Sequence, residues 1–204
     1  MSFSMNFARA LAPVALVAAA VPAQAQSSDL GKVQAHLKAV QSMTANFVQT
    51  DAKGRSARGT LQLKRPGRIR FEYQGQKVLL VGNGSKLNFV DYEVGQKSSW
   101  DLNKTPLGIL LSDRPDVARI AKIIPQKDPR VLLVRAKDSR RPEFGTLLLA
   151  FVRAPGSPAG LRLEGWTAID AQNKKTTVKL DNQRYNVAVP ESAFTYAEPK
   201  KRAR

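Results

Sequence analysis

Residues 61–73 read LQLKRPGRIRFEY. Apolar and polar residues alternate, Arg65-Pro66-Gly67-Arg68 interrupts, and the alternation resumes. A period of two marks a strand with one buried face. Residues 57–64 and 68–73 therefore read as two strands around an Arg-Pro corner. Leu61, Leu63, Ile69, Phe71 and Tyr73 share one face. The same pattern predicts strands over 46–50, 77–81, 86–92, 97–102, 130–136, 146–153, 161–171 and 174–181. Gly82-Asn83-Gly84-Ser85 is a hairpin signal between two of them.

Helical spacing occurs in two regions. Leu30, Val33, Leu37 and Val40 recur every three or four residues behind the cap oxygens of Ser27, Ser28 and Asp29. This predicts a first helix ending near Met43. Residues 105–123, TPLGILLSDRPDVARIAKI, predict two short helices. In the first, Thr105 caps, Pro106 opens, and Leu107, Leu110 and Leu111 are apolar. In the second, Ser112 or Asp113 caps, Pro115 opens, and Val117, Ile120 and Ala121 follow. Residues 190–193 predict a helical turn. The expected fold is mainly β with a few helices (α+β): one curved antiparallel sheet. Its apolar face must be covered by the helices or by the sheet closing into a barrel.

Composition narrows the compartment. The chain has 204 residues, 43% of them hydrophobic, enough for one domain with a core. Its formal net charge is +17, which attracts acidic surfaces and anionic ligands. A nucleic-acid platform interleaves bases of positive charge with aromatics on one surface. Here Arg68 and Arg70 point away from Ile69, Phe71 and Tyr73, so nucleic acid is not the expected partner. The N-terminus MSFSMNFARALAPVALVAAAVPAQA has the plan of a secretory signal. Arg9 precedes an apolar run too short to span a bilayer, and Ala23-Gln24-Ala25 supplies a small-x-small cleavage site. A buried N-terminal helix is the alternative. The expected organisation is a signal peptide over 1–25, one domain over 26–198 and a basic tail over 199–204. The chain has no cysteine, which excludes disulfides, thiolate metal sites, a thiol nucleophile and a lipid-anchored first mature residue.

Catalytic chemistry is sparse. The sole histidine, His36, lies in the first helix with no marked nucleophile or carboxylate partner, and reads as structural or solvated. Carboxylates are scattered, and Asp113 and Asp116 read as helix-start residues. Gly82-Asn83-Gly84-Ser85 has no following helix to present amides to a phosphate. No catalytic residue, metal or cofactor is expected.

An export signal without a lipid anchor, an amphipathic first helix, Phe47-x-Gln49, and Gly59-x-Leu61-x-Leu63-Lys64-Arg65-Pro66 running into Ile69-x-Phe71-x-Tyr73 resemble the periplasmic lipoprotein carrier family LolA. Thr105-Pro106-Leu107 is similar to that family's lid segment. The resemblance implies an open half-barrel closed by a lid of short helices. It implies a chaperone that takes acylated lipoproteins released by an inner-membrane ABC-type transporter, shields their acyl chains in the periplasm and delivers them to an outer-membrane receptor. A monomer is expected. By the resemblance Arg65 is the lid latch, hydrogen-bonding lid carbonyls. The acyl-chain cavity is expected at Leu61, Leu63, Ile69, Phe71, Tyr73, Leu80 and Phe89, with Leu37, Val40, Leu107, Leu110 and Leu111 in the lid. Two features depart from the family: Trp100 and Trp166 are the only tryptophans, and Gly108 interrupts the lid helix, weakening it by about 1 kcal/mol relative to Ala. Two other readings stand beside this one. One is a related half-barrel that binds or senses another lipid or hydrophobic ligand; the other is a cationic module for anionic polymers.

Overall fold

The computed structural model describes residues 23–112 and 117–200. Eleven strands form one antiparallel sheet: β1 Ser42–Thr50, β2 Ser56–Lys64, β3 Arg68–Tyr73, β4 Val78–Asn83, β5 Lys86–Asp91, β6 Gln96–Asp101, β7 Ala121–Ile124, β8 Val131–Ala136, β9 Thr146–Arg153, β10 Leu161–Ile169 and β11 Lys175–Tyr185. Their order is β6-β5-β4-β3-β2-β1-β11-β10-β9-β8-β7. Two meanders thus meet where β1 pairs with β11, and β6 and β7 remain open edges. The sheet is an open half-barrel, and closure into a barrel does not occur.

Helices α1 (Ala23–Ala39), α2 (Leu107–Leu111) and α3 (Val117–Ile120) cover the apolar face. Val33, Leu37 and Val40 from the first helix region, Leu107, Leu110 and Leu111 from α2, and Val117 from α3 join inward strand residues in one buried cluster. The link from β6 to β7 supplies α2 and α3. The same chain segment therefore joins the two meanders and fills the concavity.

The outer face of β4 and β5 is covered differently. Leu79, Val81 and Val90 pack under Val189 and Phe194, beside a 3-10 turn at Glu191–Phe194. Basic outer side chains hold this C-terminal segment in place. Lys64 and Arg68 pair with Glu191, at 2.7 and 3.0 Å, and Arg70 donates to the carbonyls of Ala193 and Thr195. The alternation expected at the corner is present, with Arg68 and Arg70 outside and Ile69, Phe71 and Tyr73 inside.

Several boundaries differ from expectation. The first helix is already formed at Ala23, so Ser27, Ser28 and Asp29 lie within it and not at its start. Asp29 instead accepts two hydrogen bonds from Arg153 Nη2, at 2.9 and 2.8 Å, which ties the helix to β9. The helix stops at Ala39, not Met43, because Met43 pairs with Leu63 and Tyr185 as part of β1. Its last carbonyls find side-chain partners: Asn186 Nδ2 donates to Ala39 O and Gln41 Nε2 to Lys38 O. Thr105 does not cap α2; its hydroxyl donates back to Leu102 O. Ala121 is the first residue of β7, a strand the periodicity missed and assigned to the second short helix. The cap expected at Asp113, the helix opening at Pro115, residues 1–22 of the signal peptide expected over 1–25, and residues 201–204 of the tail lie outside the described residues.

Candidate functional site

The floor of the concavity is built from alternate residues of β1, β2 and β3. Phe47 stands beside Phe71 and Tyr73, with ring centroids 5.0 and 5.2 Å apart in edge-to-face geometry, and Phe71 meets Trp166 at 6.1 Å. Such pairs add stabilisation beyond their buried area. Leu61, Leu63 and Ile69 complete the floor and are fully buried beneath the helices. Leu80 packs against this cluster but is only partly buried. Phe89 shares the face of Leu87, stands in register with Leu80, Phe71 and Leu61, and also lines a recess at the far end of the strands.

That far end is open. A recess of about 370 Å³ sits where β1, β2, β4 and β5 run out, lined by Ala57, Tyr73, Val78 and Phe89 and rimmed by Asp51 and Arg55. Tyr73 is nearly buried there, and its hydroxyl donates to Gln49 Oε1 at 3.0 Å. Burial pushes the Tyr73 phenol up to about 12, so it stays a neutral donor. Trp100, on the concave side of edge strand β6, is 48% exposed. A larger groove of about 830 Å³ lies on the outer face of β1–β3, among Asn46, Arg58, Thr60 and Glu72, and the floor residues Phe47 and Tyr73 also border it beside Gly59.

The opposite end is tied shut at the Arg-Pro corner. Arg65 is 8% exposed. Its Nε donates to Val40 O at 2.8 Å, just beyond the end of α1, and its Nη1 donates to Ser112 O, just beyond α2. Backbone bonds flank it: Arg65 N–H donates to Gln41 O at 2.8 Å and Gly67 N–H to Leu111 O at 3.0 Å. One guanidinium thus bridges the C-terminal ends of two helices that cover the floor. Cations are favoured at helix C-termini, where the carbonyl dipoles converge.

α1 is held at a third point. His36 Nδ1 donates to Pro158 O at 2.8 Å, and its ring meets Phe151 and Tyr185 edge-on. Burial, aided by the nearby charge of Arg65, lowers the His36 pKa, so the ring is held neutral. The reading of His36 as a structural residue agrees with this placement. α3 is secured by Val117 N–H donating to Gln34 Oε1 at 3.1 Å and by Arg119 pairing with buried Asp138 at 3.4 Å.

Gly108 has a role that propensity did not anticipate. A Cβ there would lie 2.7 Å from Leu102 O, so its absence lets α2 dock on the 3-10 turn at Leu102–Lys104. Sequence reasoning also missed Phe47, Trp166 and Phe151 as floor residues. Phe47 could have been found from its alternation with Met43 and Ala45 had the strand been started at Ser42.

Among the described residues there is no group of three or more metal-ligating side chains, and no helix is long and apolar enough to cross a membrane. The family described as Outer membrane lipoprotein carrier protein LolA matches residues 38–197. The chain is 26% identical to an outer-membrane lipoprotein carrier protein of Chromobacterium violaceum, covering 91% of each chain. It is 27% identical to one from Pseudomonas entomophila, over 96% of this chain and 97% of that one. It is 28% identical to one from Chromohalobacter salexigens, over 95% and 94%. A crystal structure of a LolA superfamily protein from Nitrosomonas europaea overlays with a TM-score of 0.44 at 12% identity, covering 84% of this chain and 97% of that one. With an open antiparallel half-barrel, an apolar concave floor and helices laid over it, the chain belongs to the LolA family of outer membrane lipoprotein carriers.

Proposed function

We propose that this protein is a periplasmic carrier for the acyl chains of lipoproteins, taking them up as they leave the inner membrane and delivering them toward the outer membrane. The observation that supports this most is the way the floor is covered. An acyl chain in water costs on the order of 0.8 kcal/mol per CH₂. Leu61, Leu63, Ile69 and Phe71 offer an apolar surface to offset that cost, and the elements now on it are helices α1, α2 and α3. Those helices are held by their apolar faces and by polar contacts at Arg65, His36 and Gln34. When they lift, the chain takes their place; when they return, they compete with it. The load is bound and can still be released.

In this reading Arg65 is the latch of the empty form. Leu37, Val40, Leu107, Leu110 and Leu111 are the lid face that ligand displaces, and Tyr73, Leu80 and Phe89 lead from the open recess to the floor. Cargo arrives from an inner-membrane transporter and leaves to an outer-membrane receptor, and the protein works as a monomer without cofactor or catalytic step. The protein should bind an anilinonaphthalene-type dye in its native state and release it to fatty acid. Native protein that leaves the dye dark, or whose dye is not displaced, would refute an openable apolar site.

A further inference from the structure

Two halves of the outer face are finished differently. On β4 and β5 the chain covers its own apolar residues with Val189 and Phe194. On β7–β10 it leaves a second apolar strip without such a cover among the described residues. The register places these residues in rows. One row runs Lys122, Arg135, Leu148, Thr167, Thr177 from β7 to β11. The next runs Ile124, Leu133, Ala150, Gly165, Lys179. The centre of both rows is aliphatic or small and partly buried, while Lys122, Arg135 and Lys179 are exposed. Glu164 lines the groove paired with Arg162 at 2.6 Å, and Asp181 stands two residues beyond Lys179 on the same strand face.

The strip is a trough. A β-bulge falls between Leu163 and Gly165. Gly165 has φ +149°, and a Cβ there would lie 2.1 Å from Val178 O. No side chain can stand at that point, and a groove of about 610 Å³ opens beside Leu133, Leu148, Ala150 and Lys179. Four strand intervals separate Lys122 on β7 from Lys179 on β11, a span of about 19 Å. An α-helix is about 10–12 Å across with its side chains. It fits along the trough with room on each flank for acidic residues to meet the lysines.

We propose that the outer face of β7–β11 is a docking groove for an acidic amphipathic helix of a partner protein, with an apolar ridge on Leu133, Leu148 and Ala150 and carboxylates toward Lys122 and Arg135 on one side and Lys179 on the other. This is helix-in-groove recognition with charge setting orientation. A second copy of the chain is a poor occupant, because two such faces would set cation against cation. A flat bilayer cannot fill a recessed centre. The groove opens on the face of the sheet away from the apolar floor, with the buried residues Trp166, Val178 and Leu180 bordering it from within; docking and cargo binding are compatible, and the proposal does not depend on what the floor carries.

The test uses the full chain and two fluorescent helical peptides of about five turns. Both carry a leucine ridge; one is flanked by glutamates, the other by lysines. The glutamate peptide is expected to bind, weakening as salt is raised, and the lysine peptide is not. Lys122→Glu with Lys179→Glu should weaken the glutamate peptide by about tenfold or more. Leu133→Glu should abolish its binding while circular dichroism and dye binding at the floor stay unchanged. Fatty acid should not displace it. Equal binding of both peptides, indifference to the charge reversals, or displacement by fatty acid overturns the proposal. Co-sedimentation with phosphatidylglycerol vesicles that depends on Lys122 and Lys179, without peptide binding, also overturns it and makes the face a lipid contact.

Discussion

Arg65→Leu is the perturbation whose consequence follows most directly from the closed geometry. The substitution removes two charge-assisted hydrogen bonds, to Val40 O and Ser112 O. Each such bond contributes roughly 1.5–3 kcal/mol net of water exchange. They share one guanidinium and are not independent, so about 3 kcal/mol is a fair joint figure, and at about 1.4 kcal/mol per tenfold it corresponds to roughly 100-fold in the closed-to-open ratio. Leucine also leaves the two carbonyls short of a donor in the closed form, which acts in the same direction. The backbone bond from Arg65 N–H to Gln41 O and the β2–β3 ladder do not use the side chain, so the sheet and corner survive. Apparent affinity for an apolar ligand scales with the fraction of open protein. The variant should therefore bind dye and acyl chains more tightly and release them more slowly. Uptake from the inner membrane persists, and hand-over to the outer-membrane receptor fails. Arg65→Lys should be partly defective, since one ammonium cannot span two carbonyls as a planar fork does. A two-step assay separates uptake from hand-over. If Arg65→Leu delivers as fast as the unaltered protein, Arg65 is a turn arginine and the latch is wrong.

Other outcomes follow from the same contacts. The depressed His36 pKa predicts stability that is fully present above the ordinary histidine value of 6.5 and is lost as pH falls through the lowered folded value; thermal melts over this range should show the loss, and His36→Gln should remove it. Gly108→Ala should destabilise α2 docking and raise dye uptake, although alanine is the better helix former by about 1 kcal/mol; reduced dye uptake would show that the 2.7 Å approach to Leu102 O is relieved without cost. Phe71→Ala should cost about 3–5 kcal/mol in unfolding free energy and weaken fatty-acid binding; unchanged fatty-acid affinity would remove Phe71 from the site. Deleting residues 199–204 should slow transfer at low salt and leave dye affinity unchanged, because exposed charge steers encounters within a Debye length of about 8 Å; an equal loss of dye affinity would make the tail part of the pocket.

The two strands around Arg65 were legible because a buried face on one side imposes strict alternation, and Ile69, Phe71 and Tyr73 keep it without exception. β7 was not, because Ala121-Lys122-Ile123-Ile124 is too short for alternation to stand out from the helical spacing of Val117 and Ile120. The first helix was overextended because Met43 follows Val40 by three residues; pairing with Leu63 and Tyr185 overrides that local signal. Asp29 looks like a cap in one dimension and is an ion-pair partner of Arg153 in three. The aromatic floor was half legible. Phe71 and Tyr73 announce themselves by spacing, but Trp166 arrives from a strand almost a hundred residues away, beyond a bulge that only the pairing register reveals.

A lipoprotein carrier must take its acylated cargo off a membrane and through water. Spheroplasts holding an acylated lipoprotein at the inner membrane should release it into solution as a complex when the purified protein is added, with the lipid anchor intact by mass spectrometry. Replacing Leu80 and Phe89, which are only partly buried on the same concave face, with acidic residues should reduce that release while circular dichroism shows the sheet intact. Lipoprotein that stays with the spheroplasts at every protein concentration, or that is released equally well by the doubly substituted protein, would contradict the carrier reading.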